Sequence, residues 1–349
     1  MRAPLSLFTA VIAALLLSSC SATAPADGAA TQSHGTQSGA QQVLNVVAST
    51  SVYADVAEAV GGEYVSVRAI VDKTSQDPHS YEATARDMLA LSKADVIIAN
   101  GGGYDPFMDS LASGLEKPAG SILHAVDFLA DSGHLEAHDE VAHDEAEHDE
   151  SSPEETAHVE TTPPVTDHGA HDHSGVNEHV WYDVHTVGAL AQGIAREYGK
   201  LMPEHAEMFT DAARGFDAQI GSLAGHLESL RPLSEGKSFA MTEPLAYYLL
   251  TDAGLSDATP TGFSAAMEAG EDVSPLLLKR LTDGLRNGEY ALLALNTQTS
   301  GAQTDKVRSI AQEAGVPVLS MTETLPEGQN YLSWMESNVH ELEVSLGNG

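Results

Sequence analysis

Four short runs of the chain carry side chains of the kinds that bind metal ions. Asp77-Pro78-His79-Ser80-Tyr81-Glu82 sets an imidazole in a polar turn, and Glu178-His179-Val180-Trp181-Tyr182-Asp183 sets a second ahead of an amphipathic anchor. Pro78 stiffens the first turn, while Asp183 fits either an acceptor behind the imidazole or the cap of a helix. Met241-Thr242-Glu243-Pro244 and Met321-Thr322-Glu323-Thr324-Leu325-Pro326 each place a carboxylate directly after a strand-like stretch. Open α/β sheets bind their ligands beyond strand ends of this kind. Taken singly, each run also fits a solvated histidine or an acid near a helix start. Taken together they are two imidazoles and two carboxylates, a pair from each half, which converge only if the halves face each other across a cleft. Such an N2O2 set suits zinc or manganese. With all four side chains bound, no position remains for an activated water, which favours binding over hydrolysis. The lack of a His-Glu-x-x-His run agrees with that.

These residues need a frame, and hydrophobic patterning supplies one. Leu44-Asn45-Val46-Val47-Ala48 reads as a buried strand, with Ser49 or Thr50 capping a helix that stops at Gly61-Gly62. Val65 to Val71 is a second strand, Thr84 with Asp87 a capping box for a helix through Leu91, and Ala94 to Ala99 a third strand. Asp105-Pro106 is the cap and first-turn pair of the next helix. Helical patterning resumes at His185. Phe209, Phe216, Ile220, Leu223, Leu227 and Leu230 then form one stripe between Pro203 and Leu230, a long amphipathic helix fit to strut two domains. A second alternating set follows: strands at Ser238–Thr242, Tyr290–Leu295 and Val316–Ser320, and helices at Leu245–Ala253, Ser274–Gly284, Lys306–Ala314 and Tyr331–Leu346. Strands alternating with helices predict parallel sheets, so the fold class is α/β on both sides of a long helix.

Composition closes off other functions. Of 349 residues, 51 are acidic and 16 are Lys or Arg, a formal charge of −35, which argues against nucleic-acid binding. No apolar run beyond the N-terminus reaches the roughly 20 residues of a membrane span, which excludes a channel or permease. One cysteine rules out a disulfide framework and a multi-cysteine zinc site. The stretch from Asp131 to Glu178 holds eight histidines and fifteen acids with no Lys or Arg, and reads as a mobile loop. Its histidines, His134, His138, His143, His148, His158, His168, His171 and His173, are mostly neutral imidazoles at pH 7 and good zinc ligands. The loop is expected to capture zinc weakly and raise its supply to the cleft.

The N-terminus reads as an address. Arg2, the apolar Leu5 to Leu17 and Leu17-Ser18-Ser19-Cys20 form a short secretory signal that resembles a bacterial lipobox. That resemblance implies cleavage before Cys20 and lipid on its thiol. Ser21 to Gln42, rich in Ala, Thr, Ser, Gly and Gln, is then a flexible tether.

The chain resembles the metal-binding lipoproteins of bacterial ABC importers for zinc and manganese, the cluster A-I solute-binding proteins. Val47-Ala48-Ser49-Thr50 with Tyr53 and Asp55, Gly61-Gly62-Glu63-Tyr64-Val65 and Asp77-Pro78-His79 carry the likeness, with Ala94 to Tyr104 and His179-Val180-Trp181-Tyr182-Asp183. Glu243, Tyr248, Gly254-Leu255, Gly315-Val316-Pro317-Val318, Tyr331-Leu332 and Met335 extend it through the C-terminal half. The resemblance implies two pseudo-symmetric α/β lobes joined by one rigid helix, with metal held between them. It also implies delivery to a membrane permease and its ATPase from the outer face of the cytoplasmic membrane, by a lipid-anchored monomer that is not an enzyme. His79 and His179 match the family's two N-lobe histidine ligands. Glu243 stands where zinc members carry a third histidine and manganese members a Glu, and Glu323 where an Asp is usual. The histidine-rich insertion points to zinc, Glu243 to manganese, and a surface adhesin is the alternative of another class. The expected layout is signal 1–19, tether 20–43, N-terminal lobe 44–202, linking helix 203–230 and C-terminal lobe 231–349.

Overall fold

Every crossover in the chain returns to a parallel strand, and the result is two four-stranded sheets of matching design. The computed structural model describes residues 42–115, 121–132, 176–299 and 301–347. Cys20 and the eight histidines from His134 to His173 lie outside the described residues. In the N-terminal lobe, β1 (Leu44–Thr50) runs beside β2 (Val65–Val71) on one side and β3 (Val96–Ala99) on the other, with β4 (Ile122–His124) at the far edge. The C-terminal lobe repeats this order with β5 (Ser238–Met241) between β6 (Ser256–Asp257) and β7 (Leu292–Asn296), and β8 (Val318–Met321) at the edge. In each sheet the strand order reverses beside the first strand, and the crevice beyond the carboxyl ends there is the usual ligand site of such folds.

Helices cover both sheets: α1 (Ser51–Gly61), α2 (Ala85–Ser92), α3 (Pro106–Gly114) and α4 (Val184–Leu201) in the first lobe. The second lobe has α6 (Tyr247–Asp252), α7 (Phe263–Glu268), α8 (Pro275–Asn287), α9 (Ala302–Ala314) and α10 (Tyr331–Gly347). Between them runs α5 (Ala206–Ser234), entered through a 3-10 turn at Pro203–His205. The predicted stripe from Phe209 to Leu230 is buried at every named position. It packs into a single apolar core that reaches from Leu44 of β1 to Leu346 of α10 and so joins both lobes. Among the described residues no helix is long and apolar enough to cross a membrane.

Local rules explain most starts. Thr84 and Asp87 make the capping box at α2, each side chain bonding the other's backbone N–H. Two expected caps act differently. Thr50 precedes α1, yet its hydroxyl makes no cap and is buried without a hydrogen-bond partner. Asp105 precedes α3, but its carboxylate instead accepts from the Asn100 and Gly101 N–H groups at 2.7 and 2.9 Å. It therefore holds the glycine turn after β3 and not the helix end. The short strands β4 and β6 and the six-residue helix α7 have no counterpart in the expected elements, because two or three residues show no alternation and six span less than two helical turns.

Candidate metal centre

The loops past the carboxyl ends of the two sheets meet, and they bring the candidate side chains with them. His79 sits in the loop after β2. Its N–H donates to Asp77 Oδ1 at 2.9 Å, and the Ser80 hydroxyl to Asp77 Oδ2 at 2.8 Å, so one carboxylate folds the turn. His179 directly precedes the 3-10 turn Val180–Tyr182 that leads into α4, and it is fully buried. Asp183, four residues on, is the cap of α4, accepting from the His185 and Thr186 N–H groups at 3.0 and 3.3 Å. The two imidazole centroids lie 5.8 Å apart, walled by Tyr104, 4.7 Å from His79 and 5.9 Å from His179, and by Trp181, 5.1 Å from His179.

From the other lobe come three glutamates. Glu323, after β8, has no exposed side-chain surface; Oε2 lies 4.0 Å from His79 Nε2 and accepts from the Tyr104 hydroxyl at 3.0 Å. Glu243, after β5, accepts from Thr299 Oγ1 and, at 2.6 Å, from Asn296 Nδ2. The same Asn296 Nδ2 donates to Glu323 Oε1 at 2.6 Å, so one amide, at the end of β7, ties two carboxylates together. Glu268, the last residue of α7, was not among the expected ligands: its Oε1 lies 3.4 Å from His179 Nε2. One ligand atom each from His79, His179 and Glu268 lies within 4.8 Å of the other two. His79 Nε2, His179 Nε2 and Glu268 Oε1 are all buried with no hydrogen-bond partner. Leaving a buried polar atom unpaired costs about 1–3 kcal/mol, so three facing one another mark a place built for a shared partner. Glu268 carries little signal in the sequence, since it sits among Ala, Met and Gly beside the acids Glu271 and Asp272.

The surroundings set the charge states. Burial, then the neighbouring His79, holds the His179 imidazole well below its usual value, and burial lowers His79 as well. Both are neutral and fit to coordinate at pH 7. Burial raises Glu323 to about 7. Burial, then the carboxylates of Glu178, Glu243 and Glu323, raises Glu268 to about 8. Glu243 is raised by burial too, against the bonds from Thr299 and Asn296.

Asn177 orients His179. Its Oδ1 stands 2.8 Å from Nδ1, and because an amide oxygen only accepts, Nδ1 carries the proton and Nε2 the lone pair that faces the cluster. The Asn177 side-chain Nδ2 also donates to Pro244 O across the cleft, and the backbone carbonyl of Asn177 accepts from the Tyr248 hydroxyl, both at 2.8 Å. Replacing Asn177 by Ala is expected to lower metal affinity about 10- to 100-fold in a chelator competition, with Asn177→Asp closer to the parent. Equal affinities in all three proteins would dismiss this role. Gln298 makes a second tie. Its Oε1 accepts from the Glu323 N–H at 2.6 Å while its Nε2 donates to Gln76 O, near His79, at 3.0 Å.

The whole chain, and with it this fold, has known relatives. The manganese ABC transporter substrate-binding lipoprotein PsaA of Streptococcus pneumoniae is 21% identical over 316 residues, 87% of this chain and 90% of that protein. The iron ABC transporter substrate-binding lipoprotein MtsA of Streptococcus pyogenes is 21% identical over 348 residues, covering 97% and 96%. A mutant of the laminin-binding adhesin Lmb from Streptococcus agalactiae has the same fold, with a TM-score of 0.62 at 21% identity over 87% of this chain and 99% of that one. A family model described as zinc-uptake complex component A, periplasmic, matches residues 46–344. The chain belongs to this family, ZnuA, whose members are solute-binding proteins and not enzymes.

Proposed function

We propose that this protein captures Zn2+ between its lobes and delivers it to the permease and ATPase of an ABC importer. The observation that carries the reading is that two neutral, buried, unpartnered imidazole nitrogens meet beside the buried carboxylate of Glu323 from the opposite lobe. His79 and His179 supply the nitrogens. Glu323 supplies an oxygen, and Glu243 belongs to the same set, holding Glu323 in place through Asn296.

Several features support zinc. The 3.4 Å separation of His179 Nε2 and Glu268 Oε1 matches the edge of a tetrahedron with bonds of about 2.1 Å. The eight histidines from His134 to His173 suit the same ion as weak capture sites. The carboxylates around the site and the manganese relatives support Mn2+ as the second reading. Cys20 is the proposed lipid anchor after a signal at 1–19. The tether at 20–43, the lobes at 44–202 and 231–349 and the joining helix at 203–230 complete the layout of a monomer on the outer face of the membrane.

Metal content and competition titrations on residues 43–349, with and without residues 131–175, test the reading. One tight zinc is expected in both forms, with additional weak zinc only where the histidine-rich segment is present. Manganese kept against a zinc challenge would reassign the metal, equal stoichiometry in both forms would remove the capture role, and no tight metal at all would end the reading.

A further inference from the structure

Glu268 is the member of the cluster that neither half of the expected four-residue set explains. We propose that Glu268 is a direct ligand of the captured ion, supplying a second oxygen from the C-terminal lobe beside that of Glu323, with Glu243 as a positioning residue behind them. The inference rests on the metal-carrier reading above.

Geometry separates the two glutamates. Both Glu243 oxygens are engaged, one by Thr299 and one by Asn296, and among the described residues it is Glu323 and Glu268, not Glu243, that come within 4.0 Å of an imidazole nitrogen. Glu268 Oε1 has no hydrogen-bond partner and points at His179 Nε2, the other unpaired atom nearest to it. A divalent ion among these atoms would satisfy Nε2 of both imidazoles and this oxygen at once, and would offset the crowding of carboxylates by Glu178, Glu243 and Glu323. The local fold is suited to presenting one side chain. Phe263, fully buried in the second core of the C-terminal lobe, anchors the start of α7, and Glu268 stands at its other end. Gly262 (φ 81°) and Gly270 (φ 67°) flank the helix in the left-handed region that L side chains rarely adopt. The chain therefore turns sharply on both sides of α7 and brings its tip to the cleft.

The test uses the full chain with Glu268→Gln, which keeps the shape and removes the charged oxygen, Glu268→Asp, and Glu271→Gln at the exposed neighbouring acid as control. Zinc affinity and release to a chelator are measured, together with the visible absorption of the Co2+-loaded proteins, which reports the ligands themselves. Glu268→Gln is expected to weaken zinc binding about 10- to 100-fold, to speed release, and to change the cobalt bands. Glu268→Asp should fall between it and the parent, and Glu271→Gln should match the parent. Tight binding by the parent with unchanged affinity and cobalt bands in Glu268→Gln would overturn direct ligation and leave the carrier reading intact. Weaker binding with unchanged cobalt bands would overturn it as well, since charge alone would then account for the loss. A parent that binds no metal tightly would fail the carrier reading itself.

Discussion

Replacing His179 by Ala is expected to lower zinc affinity about 1,000-fold, or about 4 kcal/mol, in a chelator competition. The protein should remain folded. His179 is fully buried, so truncation leaves a hole where an aromatic ring packed 5.1 Å from Trp181, at a cost of roughly 2 kcal/mol in the metal-free form. Against that cost, the substitution removes a nitrogen that the metal-free protein buries unpaired, which returns about 1 kcal/mol or more. The net loss of metal-free stability is therefore small, and the loss of binding is large because no other imidazole in the cluster can take its place. His226→Ala is the control: that residue lies on α5, 3.5 Å from Glu343 and away from the cleft, and its loss should leave affinity unchanged. A His179→Ala protein within tenfold of the parent would remove His179 from the site, whatever its melting temperature.

The histidines were legible through their combination and not singly. A proline-stiffened turn after a strand, or an imidazole followed by Trp181 and Tyr182, fits a solvated ring as well, and it is the match of two such runs with carboxylates after strands in the other half that points to a cleft. The long helix was legible for a simpler reason: six apolar residues at helical spacing over more than twenty positions allow no other periodicity. Glu268 was not, and the cause is physical. An acid joins such a cluster by the company it keeps in space, and His179, whose Nε2 it approaches, lies 89 positions away in the chain. Nothing in Ser264-Ala265-Ala266-Met267-Glu268 separates it from a solvated helix face. Glu243 shows the converse. Its place directly after β5 suggests a ligand, yet Asn296, at the end of the strand beside it, and Thr299, in the loop that follows, engage both oxygens. Asp105 teaches the same lesson at a helix start, where two N–H groups of the preceding turn lie closer than those of α3. Rules of local spacing hold where the partner is local, as at Thr84 and Asp87, and yield where a neighbouring strand or loop offers a better one.

The metal-free protein is expected to lose stability as pH rises from 6.5 to 8, and the metal-loaded protein is not. Glu323 and Glu268 are raised to about 7 and about 8, so the folded state holds protons that the unfolded chain gives up near pH 4.5. Stability from such groups is present in full below the unfolded value and lost as pH climbs through the folded one. The imidazoles act in the opposite sense, because His79 and His179 are lowered from 6.5, and their contribution is lost only as pH falls below that value. Above pH 6.5 the two carboxyls lead, with His124, raised by its bond to Asp109, adding in the same sense, and the carboxyl loss by pH 8 amounts to roughly 2 kcal/mol, seen as a melting temperature lower by several degrees in chelator-stripped protein. Metal binding runs the other way. A coordinated carboxylate cannot keep its proton, so zinc uptake at pH 6.5 should release about two protons and at pH 8.5 nearly none. Calorimetry in two buffers of different ionisation enthalpy measures that release directly. Ordinary imidazoles would set the lower limit of binding near pH 6.5; the buried carboxyls move it upward, and affinity should still be rising between pH 7 and 8. Flat stability in the stripped protein, with no proton release at pH 6.5, would mean that these carboxyls are ionised before the metal arrives.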